Sequence, residues 1–142
     1  MTQSVSAHPD PRDVRFLDER INAFNVESTH IHDGKEIAIF MRDAGGTILA
    51  GLYGWTWAQC LQVEYLWVDA SERGKGHGSE LLRTAEQIAF ERGCRQALLD
   101  THSFQAPDFY QKRGYVIFGT VDDYPPGHKK YYLRKQLQPP EA

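Results

Sequence analysis

The chain contains the stretch Arg73-Gly74-Lys75-Gly76-His77-Gly78-Ser79, which lies between the apolar run Leu66-Trp67-Val68 and an amphipathic segment. Three glycines within five residues let the backbone turn sharply and approach a ligand without interference from a Cβ atom. The helix predicted after them directs its free N–H groups, and roughly half a positive charge, toward the same point. The stretch therefore predicts a phosphate or pyrophosphate site, where Arg73 and Lys75 add mobile positive charge.

The spacing of these glycines separates three kinds of phosphate-binding loop. A nucleoside-triphosphate P-loop needs about four residues between its first glycine and Gly-Lys-Ser/Thr, and that spacing is absent. The dinucleotide fingerprint G-x-G-x-x-G fits Gly74 and Gly76, but Ser79 replaces its third glycine, and 142 residues barely hold a dinucleotide domain. The third pattern, Arg/Gln-x-x-Gly-x-Gly/Ala, is filled by Arg73, Gly76 and Gly78. A plain strand-to-helix connection is the structural alternative.

A second motif, Phe109-Tyr110-Gln111-Lys112-Arg113-Gly114-Tyr115, has the form F-Y-x-x-x-G-F/Y and follows a strand-length apolar segment. Together, and in this order, the two motifs resemble the coenzyme site of the GNAT superfamily of N-acetyltransferases. The resemblance runs from about Ile37 to Leu137. It implies an enzyme that transfers the acetyl group of acetyl-coenzyme A (acetyl-CoA) to a primary amine by direct attack in a ternary complex.

The resemblance also assigns roles to individual residues. Main-chain groups of Leu66, Trp67 and Val68 would bind the pantetheine arm as an added strand. The pyrophosphate would be held by the amides of Arg73, Gly74, Lys75, Gly76, His77, Gly78 and Ser79. Tyr110 would protonate the leaving thiolate, because a phenol with a pKa near 10 keeps its proton at pH 7. Ser103, where many relatives carry asparagine, and Tyr110 itself are the remaining cofactor positions that the resemblance implies.

The reaction also needs a base that takes a proton from the attacking amine, and Glu64 is our candidate. Strict alternation along the predicted strand places one set of side chains on a single side: Gln62, Glu64, Leu66 and Val68. Burial there would raise the pKa of Glu64 toward the working range. Gln62 stands where some relatives have their acid, and Asp100 and His102 are second choices.

Hydrophobic periodicity predicts the element order α, β, β, β, α, β, α, β, β. The helices are expected from Asp10-Pro11, from Ser79 to about Arg92, and from Pro107 to near Gly114. The first should turn an apolar stripe toward a core: Val14, Leu17, Ile21 and Phe24. The strands are expected near residues 37–41, 48–57, 60–68, 97–100, 116–121 and 130–133. We expect one domain over residues 1–142 with flexible ends at 1–9 and 138–142. Its fold should be mixed α/β (α+β), with a central mixed sheet and helices on both faces.

The composition argues against several classes of protein. No run approaches the roughly 18 apolar residues of a membrane span, and the N-terminus lacks a secretory signal, so a cytoplasmic protein is expected. The formal net charge is −3 and no basic face is evident, which argues against nucleic-acid binding. His30 and His32 lie in a polar loop and the cysteines lack metal-type spacing, so no metal is expected.

Aromatic residues predict the acceptor pocket. Tyr53, Trp55 and Trp57 alternate along one side of the second strand, and three tyrosines lie late in the chain: Tyr124, Tyr131 and Tyr132. Such rings attract amines as cations, although sheet packing explains them as well. A small amine is the expected acceptor. The sequence leaves open whether a homodimer completes the pocket. The alternative function is a non-catalytic acyl-CoA-binding sensor or interaction module of the same fold.

Overall fold

The computed structural model describes residues 1–140. It divides into two compact units, Met1–His32 and the part of the chain from Asp33 onward, and each is described by itself. The predicted single domain stays a prediction. Residues 1–9 and 138–140 are irregular and largely exposed. The last part of the predicted flexible end, residues 141–142, lies outside the described residues.

The first unit consists of helix α1, Pro11–Thr29. Asp10 caps it by accepting a hydrogen bond from the Arg12 amide at 2.9 Å, and Pro11 occupies the first turn, where no N–H is needed. Nothing within this unit covers the predicted apolar stripe, so the prediction that the stripe faces a core stays a prediction. Its members are 51–66% exposed: Val14, Leu17, Ile21 and Phe24. Helical spacing identifies an amphipathic helix, but it does not say which surface covers the apolar face.

The second unit is built on a six-stranded mixed sheet, which confirms the predicted fold class. Its strands are β1 Lys35–Arg42, β2 Ile48–Trp57, β3 Cys60–Val68, β4 Gln96–His102, β5 Val116–Asp122 and β6 Lys129–Gln136. They lie in the order β1-β2-β3-β4-β6-β5. Only β3 and β4 pair in parallel, as the helical crossover between them requires.

The described part of this unit also contains two α-helices, α2 His77–Glu91 and α3 Pro107–Gln111, and one turn of 3-10 helix at Ala70–Glu72. Helix α2 begins two residues before the predicted Ser79 and packs against β1, β2 and β3. Its buried face is made of Leu81, Leu82, Ala85 and Ala89, with the predicted Ile88 only half-buried. Helix α3 stops at Gln111, and Gly114 then takes a left-handed φ of 94° before β5.

A β-bulge interrupts the pairing of β2 with β3. Tyr53 lies opposite Tyr65 and Gly54 lies opposite Val63, so Glu64 is an extra residue on β3. Gly54 is required at this place, because a Cβ atom there would lie 2.0 Å from the Gln62 carbonyl oxygen. The missing side chain lets the two backbones approach closely, which is a common reason for glycine inside a strand.

The bulge overturns the predicted alternation of β3. Leu66 and Val68 pack against the core on the same side as buried Leu61 and Val63. Tyr65 and Trp67, which strict alternation would place on the same side as Val63, are instead exposed, at 65% and 49%. Glu64 is exposed and does not share a buried side with Leu66. One inserted residue exchanges the two faces of everything that follows.

Candidate active site

A gap opens in the sheet between β3 and β4. The two strands pair over only three residue pairs, of which Gln62 with Leu98 is the last. Beyond it β3 continues to pair with β2, and β4 with β6, but no β3–β4 pairing follows within residues 1–140. The facing edge of β3, from Val63 to Val68, therefore leaves main-chain donors and acceptors available to an extended ligand.

The N-terminus of α2 lies at the end of this gap. The first amide bonded into the helix is that of Glu80, which donates to the Gly76 carbonyl at 3.0 Å. The amides of His77, Gly78 and Ser79 precede it, and the N-cap residue Gly76 has no side chain that could accept from them. Three free donors at the positive end of a 15-residue helix form an anion site.

The basic side chains of the glycine loop make hydrogen bonds to neighbouring groups of the protein, which corrects the expectation that they carry mobile charge. Lys75 Nζ donates to Glu72 Oε2 at 2.9 Å, and His77 Nε2 lies 3.3 Å from the same oxygen. These bonds, with that to Lys75 first, hold the pKa of Glu72 below its usual value. Arg73 Nε donates to the Val68 carbonyl at 3.2 Å. The side chains therefore brace the loop and leave its amides to face the ligand.

The gap and the loop form one cleft of about 760 Å³, which is within the range of ligand sites. Ten of the predicted cofactor residues line it: Leu66, Trp67, Val68, Arg73, Gly74, Gly76, His77, Gly78, Ser79 and Tyr110. Lys75 does not line it. Ser103 does not either, because its hydroxyl accepts from the Lys129 amide at 3.0 Å and so connects β4 to β6.

Tyr110 lies in the wall of the cleft and is buried. Its hydroxyl makes no hydrogen bond to any other residue of the described range. Burial, together with the negative charge of Asp100, raises the pKa of Tyr110 to about 12. The side chain therefore presents a protonated phenol to the cleft at neutral pH.

The three side chains considered as bases, Glu64, Asp100 and His102, do not line the cleft. Glu64 is exposed at the bulge, just beyond the last β3–β4 pair. Asp100 forms an ion pair with Lys130, at 3.5 Å, so its charge is compensated. His102 Nδ1 lies 2.9 Å from the Tyr124 carbonyl oxygen, and its ring stacks on that of Tyr124 with centroids 5.4 Å apart.

Sequence reasoning missed six residues of the cleft wall: Glu72, Phe104, Gln105, Ala106, Phe109 and Arg113. Phe109 and Arg113 belong to the second motif, so a signal for them was present. Phe109 packs so closely on Gly78 that a Cβ there would lie 3.3 Å from the ring. The guanidinium of Arg113 stacks on Phe109, 3.8 Å from the ring centroid. Their roles depend on the approach of α3 to α2, which local sequence does not contain.

The described residues contain neither a clustered metal site nor a membrane-spanning helix. Within residues 1–140, no group of three or more His, Cys, Asp or Glu side chains is placed to hold a metal ion. No helix of that part of the chain has both the length and the apolarity that crossing a membrane requires.

Comparison with known proteins agrees with this geometry. Residues 4–115 match the acetyltransferase (GNAT) family. Blasticidin-S acetyltransferase of Streptomyces morookaense is 38% identical over 132 residues, which are 89% of this chain and 97% of that protein. An acetyltransferase of Agrobacterium fabrum is 30% identical over 115 residues, 81% of this chain and 84% of that protein. The crystal structure of an acetyltransferase from Bacillus cereus superposes with a TM-score of 0.79 at 34% identity, covering 94% of this chain and 98% of that one. The resemblance predicted from the two motifs is confirmed, and the chain belongs to the GNAT family of acetyltransferases and is an acyltransferase.

Proposed function

We propose that this protein transfers the acetyl group of acetyl-CoA to an amine of a small molecule. The observation that carries the proposal is the continuity of the cleft. One groove joins the unpaired edge of β3, the free amides that begin α2 and the phenol of Tyr110. The β3 edge is complementary to the pantetheine arm of acetyl-CoA, and the α2 amides are complementary to its pyrophosphate. The phenol of Tyr110 is complementary to its thioester end.

The chemistry starts with the neutral amine, which attacks the thioester carbonyl carbon. The C–S bond of the tetrahedral intermediate then breaks, and the thiolate leaves. Main-chain N–H groups along the open edge of β3 polarise the carbonyl oxygen as it gains charge. Because the site holds both reactants together, the bimolecular reaction becomes an effectively unimolecular step.

Tyr110 acts on the leaving sulfur. A phenol with a pKa of about 12 is a weaker acid than a thiol, whose pKa is about 8.5, so complete proton transfer to the thiolate is uphill. Tyr110 therefore stabilises the developing thiolate by donating a hydrogen bond, and solvent completes the protonation. A hydrogen bond to a charged group is worth about 1.5–3 kcal/mol.

Glu64 is our proposed acceptor for the proton of the amine. It lies at the bulge, where the β3–β4 gap begins and where the acetyl end of the donor would be held. A solvent-exposed carboxylate there can take the proton directly or through one water molecule.

An aromatic and acidic patch beside Glu64 forms the proposed acceptor wall. The ring of Tyr53 lies 6.2 Å from the rings of Trp55 and Tyr65, and its hydroxyl donates to Glu36 at 2.8 Å. That bond, with burial and the charges of Glu36 and Glu64, raises the pKa of Tyr53. Rings and carboxylates together favour a cationic small molecule. The similarity to blasticidin-S acetyltransferase makes blasticidin S the first acceptor to test.

Steady-state kinetics with acetyl-CoA test this function. Thiol release is measured with blasticidin S, polyamines, amino sugars, amino acids and aryl amines, and with lysine-containing peptides. We expect at least one small amine to exceed every peptide in kcat/KM by about tenfold or more. Peptides that exceed all small amines by tenfold would refute the acceptor class, and so would an absence of turnover with every amine of the panel.

In Glu64→Gln the acidic limb of the profile of kcat/KM against pH should disappear, since that limb reports protonation of the base.

Gly76→Ala tests the donor site. The φ of Gly76 is +84°, and a Cβ there meets no protein atom within 4 Å, so the added methyl group projects into open space. We expect the dissociation constant for acetyl-CoA to rise about tenfold or more, because the methyl group occupies space that the pyrophosphate needs. Isothermal titration calorimetry measures this.

Gly93→Ala is the matched control. Gly93 has a φ of +96° and equally empty surroundings, but it follows the other end of α2 and does not line the cleft. Both variants carry the same backbone strain of about 1–2 kcal/mol. Equal acetyl-CoA affinity in the two variants would show that the pyrophosphate does not approach Gly76.

A further inference from the structure

Tyr110 lies on a helix that its own sequence does little to stabilise. Helix α3 spans only Pro107–Gln111, and its N-cap residue, Ala106, has no side chain that could accept a hydrogen bond from the first turn. The ring of Tyr110 packs edge-to-face on those of Phe109 and Tyr115, with centroids 5.1 Å and 5.9 Å apart. A helix of one turn is not stable alone, so the place of Tyr110 depends on what connects α3 to the sheet.

A buried threonine makes this connection. Thr101 is only 3% exposed and lies on β4, where it pairs with Tyr131 of β6. Its Oγ1 accepts from the Ala106 amide at 3.4 Å. The Ala106 carbonyl in turn accepts from the Tyr110 amide, also at 3.4 Å. Two successive hydrogen bonds therefore lead from the sheet, through the start of α3, to the backbone of Tyr110.

Gln105 fixes the direction of the threonine hydroxyl. Its Oε1 accepts from the Thr101 hydroxyl at 3.4 Å and from the His102 amide at 2.7 Å. The Gln105 amide donates to the His102 carbonyl at 2.9 Å, which closes the turn between β4 and α3. Because the hydroxyl proton is directed to Gln105, the lone pairs of the same oxygen are left for the Ala106 amide.

We propose that Thr101 is a positioning residue, whose hydroxyl sets the place of α3 and thereby the position of the Tyr110 phenol against the leaving sulfur. The inference rests on the proposed role of Tyr110 in acetyl transfer. The Tyr110 hydroxyl makes no hydrogen bond within residues 1–140, so no described group at the end of the side chain corrects a displacement of the helix. A misplacement of about 1 Å can cost on the order of 100-fold in rate.

Thr101→Val tests the proposal, because valine has nearly the same shape but lacks the hydroxyl. We expect kcat to fall roughly tenfold, less than for a full misplacement, since the Tyr110 ring still packs on its aromatic neighbours. Thr101→Ser keeps a hydroxyl and should retain most of the wild-type kcat. Hydrogen exchange measured by NMR on the protein without ligand should be faster at the Ala106 amide in the valine variant, but not in the serine variant.

A double-mutant cycle with Tyr110→Phe separates positioning from a general loss of structure. Once the phenol hydroxyl is absent, Thr101→Val should lower kcat by less than about twofold. Losses of roughly tenfold in both backgrounds would overturn the proposal, and so would an unchanged kcat in Thr101→Val alone. An unchanged kcat in Tyr110→Phe would instead contradict the proposed role of Tyr110, and the positioning role with it.

Gln105→Met repeats the cycle at an exposed position. It removes the oxygen that accepts from the Thr101 hydroxyl and leaves the buried threonine in place. We expect kcat to fall in the same direction as in Thr101→Val, and only in proteins that retain the Tyr110 hydroxyl.

Thr56→Val is the matched control. Thr56 is likewise a strand threonine that is 3% exposed, and its hydroxyl accepts from Arg92 Nη1 at 3.2 Å, but it does not line the cleft. Both valine variants lose a buried hydrogen bond, so chemical denaturation should show comparable losses of stability. Only Thr101→Val should lower kcat. An equal fall of kcat in the two variants would overturn the proposal, because Thr101 would then act through stability alone.

Discussion

Gly54→Ala is expected to lower the free energy of unfolding by about 3 kcal/mol, the upper end of the usual cost of overpacking. The added Cβ would lie 2.0 Å from the Gln62 carbonyl oxygen and 3.2 Å from the Val63 Cα. Both neighbours are backbone atoms, so a rotamer change cannot relieve the overlap. The strands have to separate at the bulge, which would also displace Glu64. Chemical denaturation followed by circular dichroism measures the loss.

Gly119→Ala is the control for this prediction. Gly119 also lies in a strand beside a register shift, but a Cβ there would meet only the Tyr132 side chain, at 3.7 Å, which is ordinary contact. Its free energy of unfolding should change little. If the two variants were equally stable, the close approach of β2 and β3 would not exist in solution.

Tyr110→Phe is expected to lower kcat by about 100-fold while the affinity for acetyl-CoA changes little. The substitution removes a hydroxyl that makes no hydrogen bond within residues 1–140 and keeps the ring that packs in the cleft wall. The lost hydrogen bond forms only as the sulfur gains charge, so the effect falls on kcat rather than on binding. Single-turnover measurements with a good acceptor isolate the chemical step.

Tyr115→Phe provides the comparison. Tyr115 is also buried, and its ring lies 5.9 Å from that of Tyr110, but its hydroxyl donates to Glu86 and it does not line the cleft. This variant should lose stability by about 1–2 kcal/mol and keep kcat close to the wild-type value. A kcat for Tyr110→Phe that matched that of Tyr115→Phe would remove Tyr110 from the reaction.

The pH dependence follows from the raised pKa of Tyr110. An unfolded tyrosine ionises near pH 10, whereas the pKa of Tyr110 in the folded protein is raised to about 12, chiefly by burial. The stabilisation from its neutral form is therefore complete below about pH 10 and is lost as the pH rises through 12. For the same reason kcat should show no alkaline limb due to Tyr110 below about pH 11.

Most residues of the candidate cleft could be predicted from sequence because its determinants are local. Three glycines and a helix start predict the anion site, and the second motif contains Tyr110. The face of Glu64 could not be predicted by alternation, since one extra residue inverts the pattern. Gly54 nevertheless carried a signal, because an isolated glycine in a strand often marks a bulge or a close backbone approach.

Other features depend on contacts between distant segments. The ties of Lys75 and His77 to Glu72 are close in sequence, yet the loop conformation decides that they form. Ser103 matched a family position, but its hydroxyl binds the backbone of Lys129, 26 residues away.

The open edge of β3 has a consequence for how such enzymes diversify. A strand edge recognises an extended ligand through N–H and C=O groups that every residue other than proline possesses. Substitutions among the side chains of Tyr53 and Tyr65 can therefore alter the proposed acceptor surface while the main-chain edge proposed to receive the donor is retained. A lineage built on this arrangement can acquire new acceptors by single substitutions and does not have to evolve donor recognition again.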